Sequence, residues 1–268
     1  MSYQNNDKPH LLSTSMNITE ACTLNCKLCL AYVPYYSEYK TPSYDEFCSV
    51  LNKYFQAVES VDKFSLTGGE PLLHKDLPRI IERLFFYEKQ VNQEIILITN
   101  GTIRFTDELL ETFCKCSKMK VIVNDYGNGL SPHAEYNAKL LQERGIHFIL
   151  YTEDNRYGWI DCRDHSRKHN TVEAVETQSH SCAFFLGKKW VISRGKLYTC
   201  NRAAFRITEH LIPSTEDDYI DLIGEETSVI TDKMKRFLTS NYTCSCAYCD
   251  GLKEGSKKYI AAEQLERG

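Results

Sequence analysis

Three closely spaced cysteines near the start of the chain constrain its fold and chemistry most. The stretch EACTLNCKLC, residues 20–29, holds Cys22, Cys26 and Cys29 within eight positions, and no fourth cysteine lies close by. Zinc sites usually take four ligands in two close pairs, which this spacing fits poorly. Iron–sulfur cubanes are held by thiolates on compact loops, and three thiolates leave one of the four irons without a protein ligand. The spacing therefore favours a cluster with one open iron, where a substrate or cofactor binds.

The remaining cysteines support metal binding over disulfides. The chain has 12 cysteines in 268 residues, and its first ten residues lack the apolar stretch of a secretory signal. The longest aliphatic run, residues 95–98, is far shorter than the roughly 20 residues of a membrane span. We therefore expect a cytosolic protein whose thiols bind metal or catalyse. The net charge of −4 argues against nucleic acid and anionic membranes as partners.

Short apolar runs alternate with amphipathic ones over the first 150 residues, which predicts a parallel α/β sheet, open or curled toward a barrel. The predicted strands are 11–18, 62–67, 94–99, 119–124 and 146–151. The predicted helices between them are 43–58, 76–90, 106–116 and 132–144. Ser43 and Glu46 form a capping box, Pro132 suits the first turn of the fourth helix, and Gly145 suits its end.

The chemically informative residues follow the predicted strands directly, where active groups of parallel sheets gather. Together they resemble the radical S-adenosylmethionine (SAM) superfamily, whose signature Cys-x3-Cys-x-aromatic-Cys is matched by the three cysteines, with Leu28 at the aromatic position. The segment LTGGEP holds Gly68, Gly69 and Glu70, and family members use this segment to hold the amino group of SAM. The segment ITNG, with Asn100, also resembles the family. Asn124 follows the next strand and is a further candidate SAM-binding residue.

This resemblance implies a partial (β/α) TIM-like barrel over residues 11–175, with a [4Fe-4S] cluster on Cys22, Cys26 and Cys29. In the family, the reduced cluster donates an electron to SAM bound at its open iron. SAM then cleaves to methionine and a 5′-deoxyadenosyl radical, which takes a hydrogen atom from the substrate. An external electron donor such as flavodoxin or ferredoxin is also implied.

A second group of cysteines lies in the last third of the chain. Residues 188–200 are typical of a β-hairpin that turns at Arg194-Gly195. The cysteines around and after it resemble the twitch form of the SPASM extension, which carries one auxiliary [4Fe-4S] cluster. A full SPASM uses seven cysteines, and five are present here. The layout also resembles that of 2-deoxy-scyllo-inosamine dehydrogenases, and it implies a second domain over residues 182–268. The implied auxiliary ligands are Cys182, Cys200, Cys246 and Cys249; a zinc knuckle is the alternative.

Three residues are candidates for catalysis outside the clusters. Cys244 is a further ligand, an inert thiol, or a thiol that returns a hydrogen atom to a product radical. Arg163 and His165 are candidates to accept a substrate hydroxyl proton. They lie in a polar segment, residues 156–169, which contains several cations, including Arg156. These cations either bind a phosphate or carboxylate of the substrate or face solvent. The four scattered cysteines, such as Cys162, are expected to be buried apolar residues. Residues 228–240 are expected to be helical, and a short helical tail should follow residue 251.

Three functions remain open. The first is oxidation or epimerisation of a polar small molecule: a carbohydrate, an aminocyclitol or a nucleotide-sugar. The second is maturation of a ribosomally made peptide, although the 21 residues before Cys22 are too few for the leader-recognition domain that such enzymes commonly carry. The third is a non-catalytic iron–sulfur or zinc scaffold. The open cysteine trio together with the GGE segment favours an enzyme over a scaffold.

Overall fold

A single eight-stranded sheet organises the chain in the computed structural model, which describes residues 8–127, 129–154 and 159–266. Arg156 lies outside the described residues. The strand order is β5-β4-β3-β2-β1-β6-β7-β8, with β1 to β6 parallel to their neighbours and the last two pairs antiparallel. The strands are β1 (His10–Thr19), β2 (Ser60–Gly68), β3 (Val91–Thr99), β4 (Met119–Asn124), β5 (His147–Tyr151), β6 (Lys189–Ser193), β7 (Lys196–Tyr198) and β8 (Ile220–Asp221).

Helices connect these strands. Four of them, α1 to α4, lie in the crossovers that lead from each of β1 to β4 to the next strand, as a parallel sheet requires. The helices are α1 (Tyr44–Ala57), α2 (Leu77–Phe85), α3 (Asp107–Phe113), α4 (Ala134–Glu143), α5 (Val172–His180), α6 (Ala183–Leu186), α7 (Asn201–Thr208) and α8 (Thr227–Thr239). Since β5 and β8 form the two edges, the sheet is not closed, which confirms the predicted partial barrel.

The two faces of the sheet differ in character because successive strand residues point to opposite sides. One face packs on the helices: Thr14 hydrogen bonds the Tyr54 hydroxyl of α1, and Phe64 of β2 contacts the same tyrosine ring edge to face. The other face is polar near the amino ends of the strands, where Glu94 pairs with Lys63 at 3.2 Å and Lys120 at 2.7 Å. The barrel interior is therefore suited to polar groups.

Several local predictions are confirmed. Ser43 and Glu46 form the capping box of α1. Gly145 ends α4 with a φ of 66°, which favours glycine, and its amide bonds Gln142 O. The hairpin turns at Arg194 and Gly195, both in the left-handed region, as a type I′ turn requires.

Other predictions are wrong in instructive ways. The helix expected over 76–90 ends at Phe85, and a separate 3-10 turn follows at Glu88–Gln90. Pro132 precedes the fourth helix, whose N-cap is His133. Residues 252–266 contain no helix. Within them Tyr259 and Gln264 form extended bridges to Trp159 and Cys26, because the partner loops offer free backbone groups.

Candidate iron–sulfur and SAM site

The three predicted cluster cysteines lie on a loop between β1 and α1 that is closed at its base. The Glu20 amide donates to Lys40 O at 2.9 Å, and the Glu20 carboxylate accepts from the Lys40 amide at 2.7 Å. Arg194, at the tip of the β6–β7 hairpin, makes two 2.7 Å hydrogen bonds to the same carboxylate. The auxiliary extension therefore fixes the ends of the cluster loop.

The tip of the loop is held by residues 259–265, which we call the closing segment. Cys26 forms an antiparallel bridge with Gln264, and the Lys27 amide donates to Glu263 O at 2.7 Å. The Gln264 side chain accepts from the Asn25 amide at 2.7 Å and donates to Cys26 Sγ at 3.4 Å. The loop is thus held at its base by the β6–β7 hairpin and at its tip by the closing segment.

The chemistry of the three thiols fits a metal cluster. Burial raises the pKa of Cys22 to about 11 and of Cys26 to about 12, and it also raises the pKa of Cys29. The charge of Cys29 also raises the pKa of Cys22 and of Cys26. Buried thiols in such a group become thiolates when a cation binds them, which is the coupling seen in metal sites.

The glycines of the GGE segment let β2 lie against the start of the cluster loop. A Cβ on Gly68 would lie 2.2 Å from Thr19 O, and one on Gly69 would lie 2.1 Å from Ala21 O. The Gly69 amide donates to Thr19 O at 2.8 Å. Only glycine permits this approach, so the segment fixes the position from which the cysteines project.

Glu70 supports the end of β3. Its fully buried carboxylate accepts hydrogen bonds from Thr99 Oγ1 at 2.8 Å, the Asn100 amide at 2.7 Å and the Leu72 amide at 3.1 Å. Burial raises the pKa of Glu70 to about 7, although these three donors oppose the shift. Asn100 in turn points Nδ2 at Cys22 Sγ, 3.7 Å away. Glu70 therefore orients a residue that contacts the cluster loop.

Asn124 completes this edge of the sheet, with its Nδ2 donating to Thr99 O at 3.2 Å. The structure thus brings the predicted SAM-binding residues that follow β2, β3 and β4 to the carboxyl edge of three adjacent strands. Leu28 is buried on the neighbouring cluster loop.

Four cysteines of the second group line one cavity, which we call the auxiliary thiol cavity. Cys182 and Cys200 precede α6 and α7, and the other two lie on and after the 3-10 helix Cys244–Tyr248. Backbone amides already point at two of these sulfurs: Gly251 N at 3.3 Å from Cys249 and Leu252 N at 3.5 Å from Cys182. This donor set fits an auxiliary [4Fe-4S] cluster. The lining thiols are Cys182, Cys200, Cys246 and Cys249.

No three Cys, His, Asp or Glu side chains converge on a single metal-ion position anywhere in the described ranges. The four thiols of the second group line a shared cavity instead.

A further cavity, the bridging cavity, lies between the cluster loop and the extension. Residues of the cluster loop, of the link after β5 and of the extension meet around it. Its lining includes Leu28, Cys29, Tyr32, Trp159, Cys162, Arg163, Phe184, Arg202 and Leu252.

The predicted catalytic residues are not all brought together. Arg163 lines the bridging cavity and is paired with the Asp161 carboxylate. The Nδ1 of His165 accepts from Arg206 at 3.1 Å, and burial, aided by Arg206, holds the pKa of His165 below its usual value. The Cys244 thiol packs instead against the small apolar cluster around Tyr198, outside the lining of the auxiliary thiol cavity.

Sequence reasoning missed Gln264 and Arg202, and it counted Cys162 as an inert core residue. Cys162 in fact lines the bridging cavity. Sequence spacing gave no signal for these residues because each contacts residues that are distant in the chain.

Comparison with known proteins identifies the first half of this site. The model of the radical SAM superfamily matches residues 16–126. These residues form a radical SAM domain. The family implies a [4Fe-4S] cluster and SAM, in agreement with the sequence prediction and with the chemistry of the three-thiol loop.

Relatives and solved structures resemble the chain over different shares of its length. An S-adenosylmethionine-dependent nucleotide dehydratase from Lacinutrix mariniflava is 25% identical over 183 residues, which are 66% of this chain and 36% of that protein. The chain thus spans about a third of the length of that relative. BtrN, solved with AdoMet and 2-DOIA, is 14% identical, with a TM-score of 0.56 over 94% of this chain and 98% of BtrN. SuiB from Streptococcus suis is 14% identical, with a TM-score of 0.56 over 83% of this chain and 66% of SuiB.

The likeness to BtrN and SuiB concerns the fold, and it extends beyond the radical SAM domain into the cysteine-rich extension. Within the described part of the chain, every helix is too short or too polar to cross a lipid bilayer.

Proposed function

We propose that this chain is a radical SAM oxidoreductase that oxidises a polar small molecule and passes an electron to an auxiliary [4Fe-4S] cluster. The bridging cavity carries this proposal, because it is lined both by Cys29 of the cluster loop and by Arg202, which also lines the auxiliary thiol cavity. When bound, the first cluster and SAM supply the radical that abstracts hydrogen. A substrate between the two cysteine groups would lose a hydrogen atom to that radical, its second electron to the extension and its hydroxyl proton to solvent water.

The residues of the bridging cavity suggest the class of substrate. Tyr32 and Trp159 line the cavity, and aromatic side chains suit a substrate that contains a ring. Arg163, which lines the cavity, stays charged at any physiological pH, so it is suited to bind a phosphate or carboxylate rather than to accept a proton. At His165, the hydrogen bond from Arg206 occupies the lone pair that a base would use. We therefore favour a substrate with an anionic group, such as a nucleotide-sugar. The nucleotide named for the Lacinutrix relative is consistent with this choice.

We also propose that residues 11–175 are the catalytic barrel and residues 182–268 the auxiliary extension, although β6 of the extension pairs directly with β1. A reduced flavodoxin or ferredoxin would supply the first electron.

Anaerobic reconstitution tests the proposal. Two cubanes give about eight iron atoms per chain, whereas a zinc knuckle beside one cubane gives about four iron atoms and one zinc. With dithionite and SAM, the protein should release 5′-deoxyadenosine. A panel of deuterated nucleotide-sugars and aminocyclitols should then transfer deuterium into that product and yield a ketone. Deuterium transfer from a peptide instead of from any small molecule would contradict the proposed substrate class.

A further inference from the structure

Arg202, in the first turn of α7, is a buried cation. Its side chain is 3% exposed and lines both the auxiliary thiol cavity and the bridging cavity. Nη1 donates to Cys249 Sγ at 3.3 Å, while Nε and Nη2 are buried without a hydrogen-bond partner in the described part of the chain. Removing a guanidinium from water without pairing it is strongly unfavourable, so these N–H groups fit an anionic occupant.

A second buried arginine on the same helix provides an internal comparison. Arg206, one turn later, is 1% exposed, yet the protein itself supplies its acceptors. Its N–H groups donate to His165 Nδ1 at 3.1 Å, to Ser245 Oγ at 3.1 Å and to Asp164 O at 3.3 Å. Arg206 is thus a satisfied structural residue, and Arg202 differs from it in lacking such acceptors.

The groups that face Arg202 identify its partner. They are the thiols of Cys249, Cys162 and Cys200 and the phenol of Tyr32. Two of these thiols belong to the set of four that lines the auxiliary thiol cavity. Four thiolates around a cubane carry net negative charge, which this guanidinium offsets.

We propose that Arg202 is the counter-ion and positioning residue of the auxiliary cluster: it holds the Cys249 thiolate through Nη1 and directs its remaining positive charge to the same anionic site. This inference rests on the auxiliary cluster of the proposed function. A fixed cation beside the cluster favours the state with one more electron, so Arg202 raises the midpoint potential of the cluster. A raised potential suits a cluster that accepts an electron from a substrate.

The test measures the potential without any substrate. In full-length protein whose three loop cysteines are replaced by alanine, only the auxiliary cluster remains, and its reduction is followed by electron paramagnetic resonance. Arg202→Met removes the charge, Arg202→Lys keeps it, and Arg236→Met removes an exposed charge from α8 as a matched control. At the potential where half of the wild-type cluster is reduced, Arg202→Met should raise the ratio of oxidised to reduced cluster at least tenfold. For a one-electron couple, this means a midpoint potential at least 59 mV lower. The Lys variant and the control should stay within about twofold of wild type.

An unchanged midpoint in iron-loaded Arg202→Met would overturn the role of Arg202 while leaving the proposed function in place. Loss of iron in Arg202→Met, with the fold retained by circular dichroism and the iron restored in Arg202→Lys, supports it. If the Met variant does not fold, the midpoint potential is measured in Arg202→Gln, which is polar and neutral. The same tenfold criterion then applies. A wild-type chain that binds no auxiliary cluster would overturn both proposals.

Discussion

Replacing Gln264 tests whether the closing segment holds the tip of the cluster loop. The Gln264 side chain accepts from the Asn25 amide at 2.7 Å and donates to Cys26 Sγ at 3.4 Å. Gln264→Ala removes both of these bonds to the loop and a 2.6 Å bond to Ala262 O within the closing segment, but it leaves the backbone bond from Lys27 to Glu263. The perturbation is therefore confined to the closing segment and its contact with the loop.

The two lost bonds to the loop determine how much more often the tip of the loop should open. Each contributes about 1 kcal/mol net, so the closed state loses about 2 kcal/mol. At about 1.4 kcal/mol per factor of ten, the tip should open about 30-fold more often. Gln264→Glu keeps an acceptor for Asn25 but, once ionised, cannot donate to Cys26. Its carboxylate also lies beside the Cys26 thiolate as a like charge, so we expect its opening to increase at least as much as that of the Ala variant.

Hydrogen exchange of the iron-loaded protein under anaerobic conditions measures this opening directly, because the Asn25 and Lys27 amides exchange only when the tip opens. Glu263→Gln is the matched control. It removes a partly exposed ion pair with Lys27 at 2.9 Å, worth at most about 1 kcal/mol, so exchange should rise less than about sixfold. Exchange in Gln264→Ala within about twofold of wild type would refute the assignment of the closing segment.

Three further variants test other parts of the site. Arg194→Ala leaves the buried Glu20 carboxylate without its cation and should cost about 3–5 kcal/mol, seen as a lower thermal midpoint; an unchanged midpoint contradicts the role of the hairpin in fixing the loop. Gly69→Ala places a Cβ 2.1 Å from Ala21 O, so the loop must shift, and calorimetry should show SAM binding weakened at least about tenfold. Cys244→Ala should keep the full iron content, because its thiol packs outside the auxiliary thiol cavity; iron loss would show that it is a ligand.

Features set by local sequence were predictable. Strand positions follow from apolar runs, and the Ser43–Glu46 capping box and the Arg194-Gly195 turn depend on residues that are close in the chain. The cysteine trio and the GGE segment were recognisable because their spacing is part of their chemistry. These features sufficed for the partial barrel and for the candidate cluster loop.

Features set by contacts between distant residues were not predictable. The closing segment has a composition that suits a helix, yet it is extended because backbone groups of Asn25 and Lys27 are its partners. Helix α7 was not predicted from the sequence. Its two arginines, Arg202 and Arg206, are buried, whereas arginines on a helix are expected to face solvent.

The closing segment has a consequence for biosynthesis. Gln264 follows its partner Cys26 by 238 positions. At about 5–20 residues per second, the ribosome makes the closing segment roughly 10–50 s after the loop cysteines. During that interval the tip of the cluster loop in a nascent chain lacks its contacts with the closing segment, so a cluster loaded then would meet a loop that is held only at its base.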